Sequence, residues 1–212
     1  MKKLILFLMA LCFIVPGVEA QNKTLQKQLK KEYKTKMKEY DKEGWKLFGS
    51  SRSLDVALLT HYDKLTNLGD DGFELVGVAS RFKSKNVGHQ MAINNACVTY
   101  AQQAGSYVKG RVVSDMAGDG VEADEEFDHF YAAYERLVEK EIKGEMSESY
   151  SVIRDNGDGT FEMQTFFIVS EKAASKARIR ALENASRESE AAQKYAEVVS
   201  KFVEEGFNPS AQ

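Results

Sequence analysis

The 212-residue chain contains only two cysteines and two prolines. Two cysteines are too few to staple a miniature domain, and two prolines exclude a proline-rich linker protein. The net charge of −3 lacks the basic excess of a dedicated nucleic-acid binder, so we expect no nucleic-acid partner. Beyond Val15, no apolar run approaches the roughly 18 residues of a membrane span. With 43% hydrophobic and 29% charged residues, the composition is typical of a folded globular protein.

The N-terminal residues 1–20 have the pattern of a secretory signal peptide. Two lysines precede an apolar run over residues 4–15, and Val18-Glu19-Ala20 has the small-x-small form of a cleavage site. We therefore expect cleavage after Ala20, and a periplasmic or secreted protein with no transmembrane segment in its mature chain. Cys12 lies inside the apolar run rather than at the cut, so we expect no lipid anchor. An uncleaved N-terminal membrane anchor is the alternative.

The segment after the cut, residues 21–44, is predicted to be a basic amphipathic helical extension. Residues 21–46 contain nine lysines against four acidic residues. The apolar side chains recur every three or four residues, as on one stripe of a helix: Leu25, Leu29, Tyr33, Met37 and Tyr40. This stripe predicts packing on the same chain, self-association, or contact with an envelope protein. The lysines leave open a second role, in which residues 21–43 bind an anionic lipid or glycan surface.

Residues 45–207 are predicted to form a single α+β domain, followed by a frayed tail over residues 208–212. Residues 45–48 are short and ambiguous between an edge strand and a loop. Hydrophobic periodicity predicts helices over 54–68, 86–104, 127–138 and 171–205, and strands over 73–82, 107–113, 145–154 and 160–170. The turn-forming run Asp155–Gly159 indicates that the last two strands form a hairpin. We expect an α+β fold with a small, largely antiparallel sheet packed with several helices, including a long C-terminal helix.

The residue types that usually carry chemistry form no recognisable motif. Cys97 has small apolar neighbours and is predicted to be a core residue rather than a nucleophile. His61, His89 and His129 are widely spaced, and His89 lies roughly 12 Å along a helix from Cys97, too far to share a zinc ion. The acidic residues over 115–128 are predicted to form a solvated loop and a helix start. We therefore assign no catalytic, cofactor-binding or metal-binding residue and expect no cofactor.

One region resembles a known family. It consists of an alanine-rich helix over residues 91–104, a stop at Gly105, and a strand that begins with Gly105-Ser106-Tyr107-Val108. A later helix precedes a hairpin with an Asp158-Gly159-Thr160 turn. Across about residues 86–185 this order resembles the small outer-membrane lipoprotein family that includes the N-terminal domain of flagellar assembly protein T. The resemblance implies one sheet with helices packed across it, and envelope-associated binding or assembly without catalytic residues.

These patterns together favour an exported protein of the bacterial cell envelope that works as a non-catalytic binding or assembly module. A periplasmic hydrolase or isomerase with a dispersed Asp, Glu or His site is the first alternative. A binder of anionic lipid or glycan through residues 21–43 is the second alternative.

Overall fold

The computed structural model describes residues 17–118 and 125–188, together with positions 193, 199, 200 and 203. The chain divides into two compact units, residues 1–42 and 43–212. Most of the predicted signal peptide and the predicted tail over residues 208–212 lie outside the described residues. Among the residues that are described, no helix is both long enough and apolar enough to cross a membrane.

The first unit contains most of helix α1, Gly17–Glu43. The helix predicted over residues 21–43 is therefore confirmed. Its end coincides with Gly44, whose positive φ of 75° is a conformation that glycine adopts without steric cost. Along the helix, Leu29, Tyr33 and Met37 are half-buried, whereas most of the lysines are exposed.

The second unit is built on a four-stranded antiparallel sheet with the order β1-β3-β4-β2. The strands are β1, Lys46–Phe48; β2, Gly72–Phe82; β3, Ser147–Asp155; and β4, Phe161–Ser170. The α+β fold and the β3–β4 hairpin are confirmed. The ambiguous residues after Gly44 do form an edge strand, which is only three residues long. The hairpin turn uses positive φ angles at Gly157 and Gly159, as its composition predicts.

The helices of this unit cover both faces of the sheet. Helices α3, Lys85–Gly118; α4, Glu125–Ile142; and α5, Glu171–Ser186, share a buried core with one sheet face. The paired residues Phe73 and Val169 belong to that face. The opposite face meets α2, Leu54–Leu68, whose buried His61 packs edge-on against Tyr150 and Phe166. Because helices pack on both faces of the sheet, β4 buries five consecutive residues, Thr165–Val169.

The structure corrects the prediction for residues 105–113. The predicted helix over 86–104 does not stop at Gly105, and the predicted strand over 107–113 is not formed, because α3 is one helix of 34 residues. Val108 and Val112 lie one turn apart and are both buried in the core, so the helical stripe continues past the glycine. Gly105 serves close packing: a Cβ there would lie 3.0 Å from the Tyr131 hydroxyl of α4.

The predicted continuous helix over 171–205 is also wrong. Helix α5 begins at Glu171 as predicted, but it ends at Ser186 and is followed by a turn. The Arg178 guanidinium lies 3.5 Å from the backbone oxygen of Val203. In one straight helix these residues would be about 37 Å apart. The chain therefore folds back, because Val199 and Val203 are buried in the same core as α5. Among the described residues, the longest helix is α3.

Two glycine substitutions test how α3 is built and placed. A Cβ at Gly77 of β2 would lie 1.8 Å from the Ala92 backbone oxygen of α3, whereas a Cβ at Gly110 would meet no atom within 4 Å. We expect Gly77→Ala to lower the free energy of unfolding by about 1–3 kcal/mol or more. We expect Gly110→Ala to raise it by about 0.5–1 kcal/mol, because alanine stabilises a helix interior. Urea unfolding measures both values. A destabilised Gly110→Ala protein would contradict the continuous α3 helix.

Candidate functional site

A polar cleft opens where the short strand β1 stops. Within the described chain, β1 pairs with β3 only from Ser151 to Ile153, so the first residues of β3 have no strand beside them on this edge. The loop that leaves β1 forms one wall of the cleft, α2 forms the second, and the start of β3 forms the third. Ala57, Thr60 and Lys64 face it from α2 with helical spacing. The cleft has a volume of about 350 Å³.

An irregularity in β3 shapes the third wall. The register between β3 and β4 shifts between Glu148 and Tyr150, which leaves Ser149 as the extra residue of a bulge. In a regular strand, successive side chains alternate between the two faces, whereas four consecutive residues, Glu148–Ser151, line this cleft. Bulges commonly change the direction of a side chain in this way. The bulge therefore places Glu148 and Ser149 next to each other in the wall of the cleft.

The Glu148 carboxylate is held by two side chains from other parts of the fold. His89 Nε2 of α3 lies 3.1 Å from its Oε1 and 3.0 Å from its Oε2, and the Ser151 hydroxyl donates to Oε1 at 2.7 Å. Ser151 also lies 3.0 Å from the Thr165 hydroxyl. The His89 ring packs against Phe48 with 5.7 Å between centroids. Since its partners are themselves fixed, the carboxylate is preorganised.

Two cationic side chains line the cleft without a partner. The Arg52 guanidinium and the Lys64 ammonium make no ion pair or hydrogen bond within the described part of the chain, and both residues are exposed. The Ser149 hydroxyl oxygen is buried and likewise has no hydrogen-bond partner among these residues. A buried hydroxyl without a partner costs about 1–3 kcal/mol. The cleft is thus lined by two unpaired cations and by the residue that carries the fixed carboxylate, Glu148.

The structure places the candidate residues from the sequence at separate positions. Cys97 is a buried core residue, as predicted, and burial raises the pKa of its thiol to about 11. His129 is exposed. His61 is buried, and its Nε2 atom lies 2.6 Å from a Glu74 carboxylate oxygen. This contact does not have hydrogen-bond geometry, so neither ring nitrogen has a hydrogen-bond partner in the described chain. His89 contacts the carboxylate of Glu148, a residue that lines the cleft. In the described ranges, no three His, Cys, Asp or Glu side chains form a group that could hold a metal ion.

The structure describes the turn over Asp155–Gly159 completely and the acidic residues over 115–128 only in part. Asp155 and Asp158 accept hydrogen bonds from backbone N–H groups two residues further on, which confirms a turn. Of the acidic residues over 115–128, positions 119–124 lie outside the described residues. Asp128 is described and forms an exposed ion pair with Lys109 at 2.7 Å.

A second polar cluster lies inside the core and was missed by sequence reasoning. The Arg178 side chain is 1% exposed and donates to the Tyr100 hydroxyl at 2.7 Å and to the Glu171 carboxylate. Burial raises the pKa of Tyr100 to about 12, so its hydroxyl stays protonated. This arginine joins α3, α5 and the returning segment at Val203. Its position in an Ala-rich pattern, with Ala174, Ala177 and Ala181 beside it, is the only sequence signal of its burial.

A pair of arginine substitutions on α5 tests this cluster. Arg178→Met removes the buried guanidinium that pairs with Glu171 and donates to Tyr100, so we expect the free energy of unfolding to fall by about 3–5 kcal/mol. Arg180 is the matched control because its side chain is 41% exposed and its pairs with Glu141 and Glu145 are open to solvent on that side, so we expect Arg180→Met to cost about 1 kcal/mol. Urea unfolding of both proteins decides the question. Equal losses would contradict a structural role for the buried arginine.

Comparisons with known proteins add no family assignment. No family model matches the chain, and no curated protein matches it. One solved structure, of a hypothetical protein from Francisella tularensis, shares 14% sequence identity over 61% of this chain, with a TM-score of 0.27. The matched part spans about half of that protein, 48% of its length. A TM-score this low indicates neither a common fold nor a function, and the resemblance to the outer-membrane lipoprotein family stays a prediction.

Proposed function

We propose that this protein is a non-catalytic binding module, exported to the bacterial cell envelope, and that the polar cleft between β1, α2 and β3 holds a small polar ligand. The signal-peptide pattern of the N-terminus supports export. One observation supports the binding role: Glu148, whose carboxylate is fixed by His89 and Ser151, lines a cleft together with two cations that have no partner in the described chain. Polar groups held in place before a ligand arrives favour binding, because little ordering remains to be done.

The contacts in the cleft favour binding over covalent catalysis. A nucleophilic hydroxyl needs a base within hydrogen-bond reach. The Ser151 hydroxyl does contact Glu148, but the residue is only 1% exposed, so a substrate could not reach it. The Ser149 hydroxyl oxygen is buried as well, and it has no base in contact in the described chain. A hydrolase or isomerase that uses Glu148 as a general base is the alternative that the binding experiment also addresses.

A thermal-shift screen with small polar solutes tests the proposal. We expect at least one amino acid, organic acid, amine or sugar to raise the Tm of the wild-type protein, because a ligand at about 100 times its Kd stabilises by about 2.7 kcal/mol. The double variant Arg52→Ala, Lys64→Ala should lose the shift. The matched control, Lys172→Ala with Arg187→Ala, removes two exposed cations of α5 and its C-terminal cap, and should keep it.

Two outcomes of the screen would contradict the proposal. One is that no solute shifts the wild-type protein. The other is that the cleft variant and its control respond alike. Turnover of a solute that binds, detected by mass spectrometry, would favour the enzymatic alternative over a binding module.

We propose a second role, for helix α1, as a contact surface for another copy of the chain or for an envelope protein. Its exposed lysines include Lys27, Lys30, Lys31 and Lys34, although the whole chain has a net charge of −3. A basic helix favours an acidic partner surface, and a second copy of this acidic protein offers one. Anionic lipid or glycan is the alternative partner.

Light scattering tests the role of α1. We expect the wild-type protein to form a dimer or larger assembly. The variant Lys27→Glu, Lys30→Glu, Lys31→Glu, Lys34→Glu should be monomeric, because the new negative charges are repelled by the acidic surface of a second copy. Lys172→Glu with Lys176→Glu on α5 is the control and should leave the assembly unchanged. Monomers throughout would contradict self-association, and co-sedimentation with anionic vesicles would then test the lipid alternative.

A further inference from the structure

The Glu148 carboxylate has acceptor capacity left for a ligand. A carboxylate offers about four lone-pair sites. His89 uses both oxygens and Ser151 uses Oε1, which leaves capacity on Oε2. The Glu148 side chain is 37% exposed and lines the cleft, so this oxygen is accessible. The group that fits it is a hydrogen-bond donor, and an ammonium adds charge attraction to the hydrogen bond.

The cations of the cleft select a group of the opposite charge. Arg52 follows β1 and Lys64 belongs to α2, so they reach the cleft from two different walls. A planar guanidinium matches the two oxygens of a carboxylate, and an ammonium adds a second positive charge beside them.

The charge pattern disfavours ligands of one sign. A simple anion would gain from Arg52 and Lys64 but would bring a second negative charge to Glu148. A simple amine would gain from Glu148 but would meet two cations. Like-charge contacts of this kind are a common source of specificity. A molecule with both a carboxylate and an ammonium satisfies all three groups at once.

The size and lining of the cleft limit the ligand further. A volume of about 350 Å³ lies at the low end of the 300–1,000 Å³ typical of ligand pockets. Leu47, Phe48, Ala57 and Tyr150 provide apolar surface beside the charged groups. A small zwitterion with one apolar or polar side chain fits both properties.

We infer that the ligand of this cleft is a free α-amino acid, bound as a zwitterion with its carboxylate at Arg52 and Lys64 and its ammonium at Glu148. This inference rests on the proposed binding function and specifies its ligand class. His89 and Ser151 then act as positioning residues, because they hold Glu148 and need not touch the ligand.

Isothermal titration calorimetry with three sets of compounds tests the inference. The sets are free amino acids, their N-acetyl derivatives, which lack the ammonium, and their amides, which lack the carboxylate. We expect at least one free amino acid to bind the wild-type protein, and both of its derivatives to bind roughly ten- to hundredfold more weakly, as the loss of a charged hydrogen bond predicts. Glu148→Gln should weaken the free amino acid by a similar factor.

The controls separate failure of this inference from failure of the proposed function. Glu183→Gln removes an exposed carboxylate on α5 and should leave binding unchanged. Glutamine at position 148 still accepts from Ser151 and His89, and circular dichroism with the Tm verifies that this variant folds. If N-acetyl derivatives or other simple acids bind as tightly as free amino acids, or if Glu148→Gln binds normally, the inference is wrong and the binding function stands. If no compound of any class binds, both fail.

Discussion

The close approach of helix α3 to strand β2 is the contact on which the rest of the fold depends. Only a glycine at position 77 leaves room for the Ala92 backbone oxygen, where an added Cβ would lie 1.8 Å away. C-terminal to Ala92, α3 continues into the core shared with α4 and α5. About one turn N-terminal to Ala92, His89 of the same helix contacts the Glu148 carboxylate of β3. A single tight contact thus positions both the core and the cleft.

The cleft results from two interruptions of a regular sheet. Strand β1 is three residues long and leaves the first part of β3 without a neighbouring strand on its side. The bulge at Ser149 then brings consecutive side chains to that edge. A longer β1 would pair with these residues, and a regular β3 would send every second side chain to the other face. The same irregularities that weaken the sheet edge therefore create the cleft.

Much of the fold could be predicted from the sequence, because local patterns determine it. The glycine-containing turn between β3 and β4 and the helical period of Phe127, Phe130 and Tyr134 are each local patterns. Prediction failed at Gly105, where a residue that often ends a helix instead makes room for Tyr131. The cleft could not be predicted, since His89 and Glu148 are 59 residues apart and a bulge has no clear sequence pattern.

The central claim is that the cleft between β1, α2 and β3 is a ligand site, and amide chemical-shift mapping by NMR tests it most directly. The wild-type protein would be titrated with the amino acid of highest affinity. The account predicts that the largest shifts fall on Ser50, Lys64 and Ser149 and saturate together, because these residues line one cleft. Shifts confined to α1 or to the exposed side of α4 and α5, with the cleft amides unchanged, would contradict it.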